Sequence, residues 1–256
     1  MNMDILSYIH NIEQEYDVKM LLAVEAGSRA WGLESKNSDW DVRFIYIHRP
    51  QWYFTIEPQR DVIEIMDGDL DVVGWELRKS LALLKRNNPS LQEWVNSPIV
   101  YYADEEFLGQ FRSAATQFFN PASSMFHYSR MYIRHDEHYL QQEACPLKRF
   151  LYYLRGVLAC KWIATNRSLP PVAFDRLVAA TVEDAGMAER IFNIVRLKKD
   201  GGKHDIQVVD KELMMYVRNL AKHYNEDTDS FHPEQNAPSS EILDTILYNT
   251  IQRYSH

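Results

Sequence analysis

The sequence predicts an α+β fold, in which a mixed β-sheet with flanking helices is followed by a C-terminal α-helical domain. Strand patterns lie mainly within residues 18–75, and after about residue 120 the apolar residues recur at helical spacing. The chain has 256 residues, 46% of them hydrophobic, which is enough for one large domain or two small ones. We therefore predict two domains, at residues 1–119 and 120–256.

The N-terminal domain alternates between helical and extended patterns. Residues 4–16 have helical spacing, and residues 76–87 show it again, with three leucines on one side. Strand patterns lie between these two helices, at residues 18–25, 41–47, 52–56, 61–66 and 70–75. This order predicts a sheet covered by helices.

Two local signals refine this prediction. Asp67-Gly68 separates the last two strand patterns and is typical of a β-hairpin. Ser90 and Glu93 follow Pro89 at the spacing of a capping box, so a short helix should begin there.

The C-terminal domain is predicted to consist of helices. Helical patterns occur near residues 104–118, at the end of the first domain, and then near residues 121–142, 146–166, 184–198, 210–225 and 239–254. Pro170-Pro171 and Gly201-Gly202 interrupt them, because neither dipeptide continues a helix well.

Composition limits the class of protein. Two cysteines, Cys145 and Cys160, are too few for a disulfide framework, and the N-terminus lacks the layout of a signal peptide. No apolar run approaches the ~20 residues that span a bilayer, so we expect a soluble cytoplasmic protein without a membrane partner. The net charge of −8 argues against broad duplex binding, although residues 146–174 are locally basic.

The most informative motif is Gly27-Ser28 followed, after ten residues, by Asp39-Trp40-Asp41. Alternate side chains of a strand share one face, so both aspartates can bind the same hard cation through oxygen. A glycine turn with free backbone N–H groups is a good seat for phosphate. Carboxylates for a metal beside a turn for phosphate indicate phosphoryl transfer.

This spacing resembles the signature of the nucleotidyltransferase superfamily related to DNA polymerase β. The wider sequence, Gly-Ser-Arg-Ala-Trp-Gly-Leu and then Ser-Asp-Trp-Asp-Val-Arg, is similar to predicted nucleotidyltransferases of the YcgL/RlaP type. So is the segment Gly74–Lys79, with Asn88-Pro89 and Glu93-Trp94 downstream. The resemblance is strong over roughly residues 20–100 and weaker elsewhere.

The resemblance implies a metal-dependent enzyme that transfers a nucleoside monophosphate from a nucleoside triphosphate to a hydroxyl acceptor and releases pyrophosphate. Two Mg²⁺ or Mn²⁺ ions would be held by Asp39, Asp41 and a third carboxylate. Our choice for the third is Asp71, since an aspartate in its apolar setting is costly unless it is paired or metal-bound. Asp69 and Glu64 are the alternatives, because hairpin register is uncertain by a residue or two.

The nucleotide is expected to contact Gly27 and Ser28 through its phosphates. Arg29 and Arg43 are weaker candidates. Arg43 shares the strand parity of the aspartates and can pair with phosphate or orient Asp41, whereas a plain surface position is as good an interpretation of Arg29.

A basic helix offers further candidates. Lys148, Tyr152 and Arg155 lie at i, i+4 and i+7, beside an apolar stripe, and can meet a triphosphate or stack on a base. The alternative is the solvated flank of a core helix.

Several functional alternatives stay open. The same fold can serve as a catalytically silent nucleotide-binding module or as an antitoxin-like protein-binding module. The acceptor can be an RNA end, a small molecule or a protein hydroxyl. The sequence leaves the choice of triphosphate open, and it is compatible with a homo-oligomer.

Overall fold

The computed structural model describes residues 5–139, 144–201, 206–227 and 238–254. The chain divides into two compact units. Unit 1 comprises Met1–Ala30, Asp39–Phe118 and Ala237–His256, and unit 2 comprises Trp31–Ser38 and Phe119–Asn236. The chain thus passes between the units more often than the single predicted boundary after residue 119 allows.

Unit 1 is built around a mixed five-stranded sheet, as the sequence predicts. Its strands are β1 (Val18–Glu25), β2 (Trp40–His48), β3 (Val62–Asp67), β4 (Leu70–Glu76) and β5 (Val100–Ala103). Their order is β3-β4-β2-β1-β5, with β2 and β4 parallel and the other neighbours antiparallel. Because β2 and β4 run in the same direction, their first residues lie side by side at the same end of the sheet.

The predicted strand at 52–56 is wrong. Pro50–Phe54 forms a 3-10 helix instead, because proline has the fixed φ of a first helical turn and no N–H for a strand ladder. The sequence analysis also missed β5, a strand of four residues at the edge of the sheet. The Asp67-Gly68 hairpin is confirmed, since β3 and β4 pair antiparallel and Gly68 has a φ of +59°.

Helices cover both faces of this sheet. Unit 1 contains α1 (Ile5–Tyr16), α2 (Gly27–Ala30), α3 (Leu77–Lys85), α4 (Pro89–Val95) and α5 (Glu105–Gln117). Val42, Phe44 and Tyr46 of β2 pack in the apolar cluster that contains α1, whereas Ile45 and Ile47 pack in the cluster of α3, α4 and α5. This alternation follows from the period of two along a strand.

The helix predicted after residue 88 begins at Pro89, but its cap differs from the predicted one. Asn88, rather than Ser90, is the N-cap, and its side-chain oxygen accepts a hydrogen bond of 3.0 Å from the Leu91 N–H. Asparagine at the N-cap followed by proline at the first helical position is a favoured combination.

Unit 2 is mainly helical, as predicted. Its elements are α6 (Pro121–Tyr139), β6 (Ala144–Pro146), α7 (Leu147–Asn166), α8 (Phe174–Thr181), α9 (Ala185–Asp200), β7 (Ile206–Val208) and α10 (Lys211–Asp227). The apolar stripe predicted on α7 is buried in the core of the unit at Leu147, Leu151, Leu154 and Leu158. The sequence analysis missed α8 and the antiparallel β6–β7 pair, because elements this short show little periodicity.

The last described helix, α11 (Glu241–Arg253), belongs to unit 1. Its Leu243 and Ile246 join the apolar cluster of α3 and α5. Arg253 pairs with Asp104 and with Glu106, each at 2.7 Å. The predicted boundary puts this segment in the helical domain, because a helical pattern does not show which surface the helix covers. Within the described ranges, the chain contains no helix with the length and apolar character that a membrane span requires.

Candidate functional site

The predicted phosphate turn follows directly after β1. Gly27 has a φ of +57°, which an L side chain rarely adopts, and it opens the single turn of α2. The N–H of Ala26 donates to the Asp41 carbonyl at 2.8 Å and so joins the end of β1 to the start of β2. A Cβ added at Gly27 would lie 2.9 Å from Cγ of Asp41 and closer still to its Oδ2. The glycine therefore makes room for this carboxylate.

Asp41 and Asp71 lie next to each other across the parallel strands. They are register partners in the pairing of β2 with β4. Nη2 of Arg43 donates to Asp41 Oδ1 at 3.1 Å and to Asp71 Oδ2 at 2.7 Å, while its Nη1 donates to the Asp71 carbonyl at 2.8 Å. One guanidinium thus holds two carboxylates together, and both carboxylates remain about a quarter to a third exposed.

Asp39 precedes β2 and is half-buried. Nε of Arg29 donates to its carbonyl at 3.1 Å, and the guanidinium of Arg29 lies 3.8 Å from the ring centroid of Trp40. Arg29 therefore holds the main chain at the entry to β2, which differs from the plain surface position, and its contact with phosphate stays a prediction.

The structure distinguishes between the three acids considered for the third position. Asp71 is the residue beside Asp41. Asp69 lies exposed in the hairpin turn, and Glu64 is an exposed residue of β3 that pairs with Arg60 at 3.4 Å. The register of β4 against β2, which the sequence alone left uncertain, decides this placement.

The donor set of the site suits a hard cation, because carboxylate oxygens are the ligands that Mg²⁺ prefers. Asp41 and Asp71 each give one oxygen to Arg43. Within the described ranges, no group of three or more histidine, cysteine or acidic side chains is arranged to hold a metal ion. The acids thus have the right chemistry for the cation, and its binding requires Arg43 to share or yield their oxygens.

A residue that the sequence analysis missed lies beneath the site. Glu25, the last residue of β1, is fully buried, and its Oε1 accepts a hydrogen bond of 3.0 Å from the N–H of Asp41. Its Oε2 accepts from the hydroxyl of Tyr101. Burial raises the pKa of the Glu25 carboxyl, against the opposing effect of these two hydrogen bonds. The available signal was an acid at the end of a strand that is apolar from Met20 to Val24, close before the glycine turn.

The candidates on α7 have contacts within unit 2. Arg155 is 2% exposed, and its guanidinium lies 4.1 Å from the ring centroid of Trp31. Tyr152 meets Trp31 edge to face at 5.0 Å, and Nζ of Lys148 lies 5.5 Å from the Tyr152 ring. This flank, for which a solvated position is the alternative interpretation, is thus partly covered, because Trp31 packs on it. Binding of a nucleotide by these three residues stays a prediction.

Comparison with known proteins assigns the chain to a family. A model described as "RlaP: RNA repair pathway DNA polymerase beta family" matches residues 1–249. The chain belongs to this family. A relative, "Uncharacterized protein YcgL" of Bacillus subtilis (strain 168), is 38% identical over 253 residues, which cover 98% of this chain and 97% of the relative. A crystal structure of a nucleotidyltransferase-like protein from Exiguobacterium sibiricum 255-15 aligns over 98% of this chain and 81% of its own, with 10% identity and a TM-score of 0.34.

Membership of the RNA repair pathway DNA polymerase beta family gives the chain a nucleotidyltransferase fold. The match extends well beyond the segment that carries the Gly-Ser and Asp-x-Asp motifs, since it includes α6–α10 and most of α11. The helical unit is therefore part of the family architecture.

Proposed function

We propose that this member of the family is a Mg²⁺- or Mn²⁺-dependent nucleotidyltransferase, which transfers a nucleoside monophosphate from a nucleoside triphosphate to a hydroxyl acceptor. The observation that carries the proposal is the pairing of Asp41 with Asp71 beside the Gly27 turn. Family membership supports the class of reaction.

The triphosphate would bind at the turn after β1. Gly27 and Ser28 are half-buried and hence within reach of a ligand. The Asp41 carboxylate fills the space of a Cβ at Gly27, so the proposed phosphate contacts are those of the backbone N–H groups of the turn and of the Ser28 hydroxyl, which can donate to phosphate oxygens.

Asp41 and Asp71, together with Asp39, would hold the divalent cations. When bound, the cations neutralise the charge on the phosphate oxygens and on the departing pyrophosphate. The chain itself supplies the alignment, because Arg43 keeps two carboxylates of like charge close to one another before any ligand arrives.

The proposed reaction forms one bond and breaks one bond. The acceptor oxygen bonds to the α-phosphorus, the bond from this phosphorus to the bridging oxygen breaks, and pyrophosphate leaves. The acceptor proton passes to a carboxylate, for which Asp71 is our candidate. Positioning and charge neutralisation would then provide most of the rate enhancement.

The test is transfer of label from each α-labelled nucleoside triphosphate, with Mg²⁺ or Mn²⁺, to total cellular RNA or to total protein. The family description makes RNA the first acceptor to test. We expect Asp41→Asn and Asp71→Asn to abolish transfer. Glu64→Gln is the matched control, because it removes an exposed acid from β3. Wild-type turnover in both asparagine variants would refute the proposal.

One observation favours a second candidate function, a catalytically silent nucleotide-binding or antitoxin-like protein-binding module. The salt bridges from Arg43 already pair both carboxylates without a metal. Calorimetric titration of each triphosphate with and without Mg²⁺ separates the two functions. Tight binding that needs no cation and yields no product would favour the silent module.

A further inference from the structure

Glu25 is a buried acid whose contacts converge on the candidate site. Its side chain is fully buried, and its two oxygens accept from the N–H of Asp41 and from the hydroxyl of Tyr101. Nε of Arg29 lies 3.9 Å from Oε1. Burial of a carboxylate is unfavourable unless charge and hydrogen bonds compensate, so these partners keep this acid in place.

The main chain of Glu25 is also fixed. The hydroxyl of Ser97 donates to its carbonyl at 2.6 Å, and its N–H donates to the Ile99 carbonyl at 3.0 Å. The carboxylate therefore extends from a rigid strand end.

The main chain of Asp41 is held at both of its polar groups. Its N–H donates to the Glu25 carboxylate, and its carbonyl accepts from the N–H of Ala26. The Asp41 carboxylate fills the space that a Cβ at Gly27 would need, so a small displacement of the Asp41 main chain would move the carboxylate relative to the turn.

Glu76 provides an internal comparison. It is 1% exposed, and one of its oxygens accepts from a tyrosine hydroxyl, that of Tyr53. Its other oxygen accepts from the N–H groups of Arg78 and Lys79 and so caps α3. The two glutamates are both buried and both accept from a tyrosine, but Glu76 caps the N-terminus of a helix, whereas Glu25 binds the main chain of Asp41.

We propose that Glu25, fixed by Tyr101, is a positioning residue that sets the Asp41 carboxylate for its ligand. This inference rests on the function proposed above. Glu25 acts through the main chain of Asp41 and does not itself contact the triphosphate or the cation. Residues that orient a metal ligand commonly change metal affinity when they are replaced.

The test uses the full chain and measures Mn²⁺ affinity by titration, together with the thermal unfolding midpoint. We expect Glu25→Ala to weaken Mn²⁺ binding by about tenfold. Glu25→Gln should restore most of the affinity, because its amide oxygen can still accept from the Asp41 N–H. Glu76→Ala should lower the unfolding midpoint and leave the Mn²⁺ affinity unchanged.

A milder variant covers the case in which Glu25→Ala fails to fold. Tyr101→Phe removes one hydrogen bond from Glu25, and we expect weaker Mn²⁺ binding than in Tyr53→Phe, which removes the matching bond from Glu76.

The inference and the proposed function fail in different ways. If Asp41→Asn impairs Mn²⁺ binding but Glu25→Ala and Tyr101→Phe do not, the positioning role is overturned. If Asp41→Asn itself has no effect on Mn²⁺ binding, the metal assignment of the proposed function fails, and the positioning role fails with it.

Discussion

Replacement of Gly27 by alanine tests the closeness of the turn to Asp41. The φ of +57° costs an L residue about 1–2 kcal/mol. The new Cβ also meets the Asp41 carboxylate, which leaves two routes of relief. A backbone shift would cost about 1–3 kcal/mol, whereas rotation of the carboxylate gives up a partly exposed ion pair with Arg43, worth about 0–1 kcal/mol. Rotation is the cheaper route, so we expect the carboxylate to leave its place.

Gly68→Ala is the matched control. Its φ of +59° imposes the same backbone strain, but an added Cβ would have open space around it. The entropy that alanine removes from the unfolded chain is common to both variants and cancels. Gly27→Ala should therefore be less stable than Gly68→Ala by about 1 kcal/mol or less, as measured by urea unfolding.

The decisive difference should appear in ligand binding. Gly27→Ala should lose Mn²⁺ affinity and label transfer, whereas Gly68→Ala should keep both, because only the first substitution displaces Asp41. Equal Mn²⁺ affinities and equal stabilities in the two variants would refute the reasoning.

The contacts of three other side chains lead to measurable effects. Burial alone would raise the pKa of the Asp104 carboxyl, but hydrogen bonds and the charge of Arg253 lower it below the ordinary value of 3.8. The lowered pKa means that ionised Asp104 stabilises the folded state. This contribution is complete above the pKa of Asp104 in the unfolded chain and is lost as the pH falls through its pKa in the folded protein. The free energy of unfolding, measured in urea between about pH 5 and pH 2, should therefore fall more steeply in wild type than in Asp104→Asn. Arg43→Gln leaves the Asp41 and Asp71 carboxylates close together without the guanidinium charge, so the free energy of unfolding without metal should fall and Mn²⁺ should bind more tightly. Unchanged Mn²⁺ affinity in calorimetry would contradict this. Arg155→Lys should lose about 1 kcal/mol in urea unfolding, because lysine cannot stack a planar group on a tryptophan ring, whereas Lys148→Gln should be neutral, and equal losses would count against the buried position of Arg155.

Much of unit 1 was predictable because its signals are local. Short runs of strand character marked β1, β2 and β4, and the Asp67-Gly68 pair marked the hairpin. The spacing from Gly27-Ser28 to Asp39 and Asp41 carried the family resemblance, and the family match agrees with it.

The misses came from elements whose signals are weak or depend on context. At residues 52–56 a strand pattern was outweighed by the preceding Pro50. The pattern of α7 alone did not show that Trp31 packs on its flank and buries Arg155, since this contact joins distant segments. The packing of α11 in unit 1 was not visible in its pattern, because amphipathicity identifies an apolar face without identifying its partner.

The sequence by itself determined the residue types of the candidate site, since short spacings specify a glycine turn followed by Asp39, just before β2, and Asp41 within it. Only the tertiary structure decided which distant groups meet them. The parallel register of β2 with β4 brings Asp71, rather than Asp69 or Glu64, beside Asp41. The pairing of β1 with β2 lets the buried Glu25 carboxylate accept from the N–H of Asp41. Both outcomes depend on pairing between segments far apart in the chain, and local sequence patterns do not encode this register.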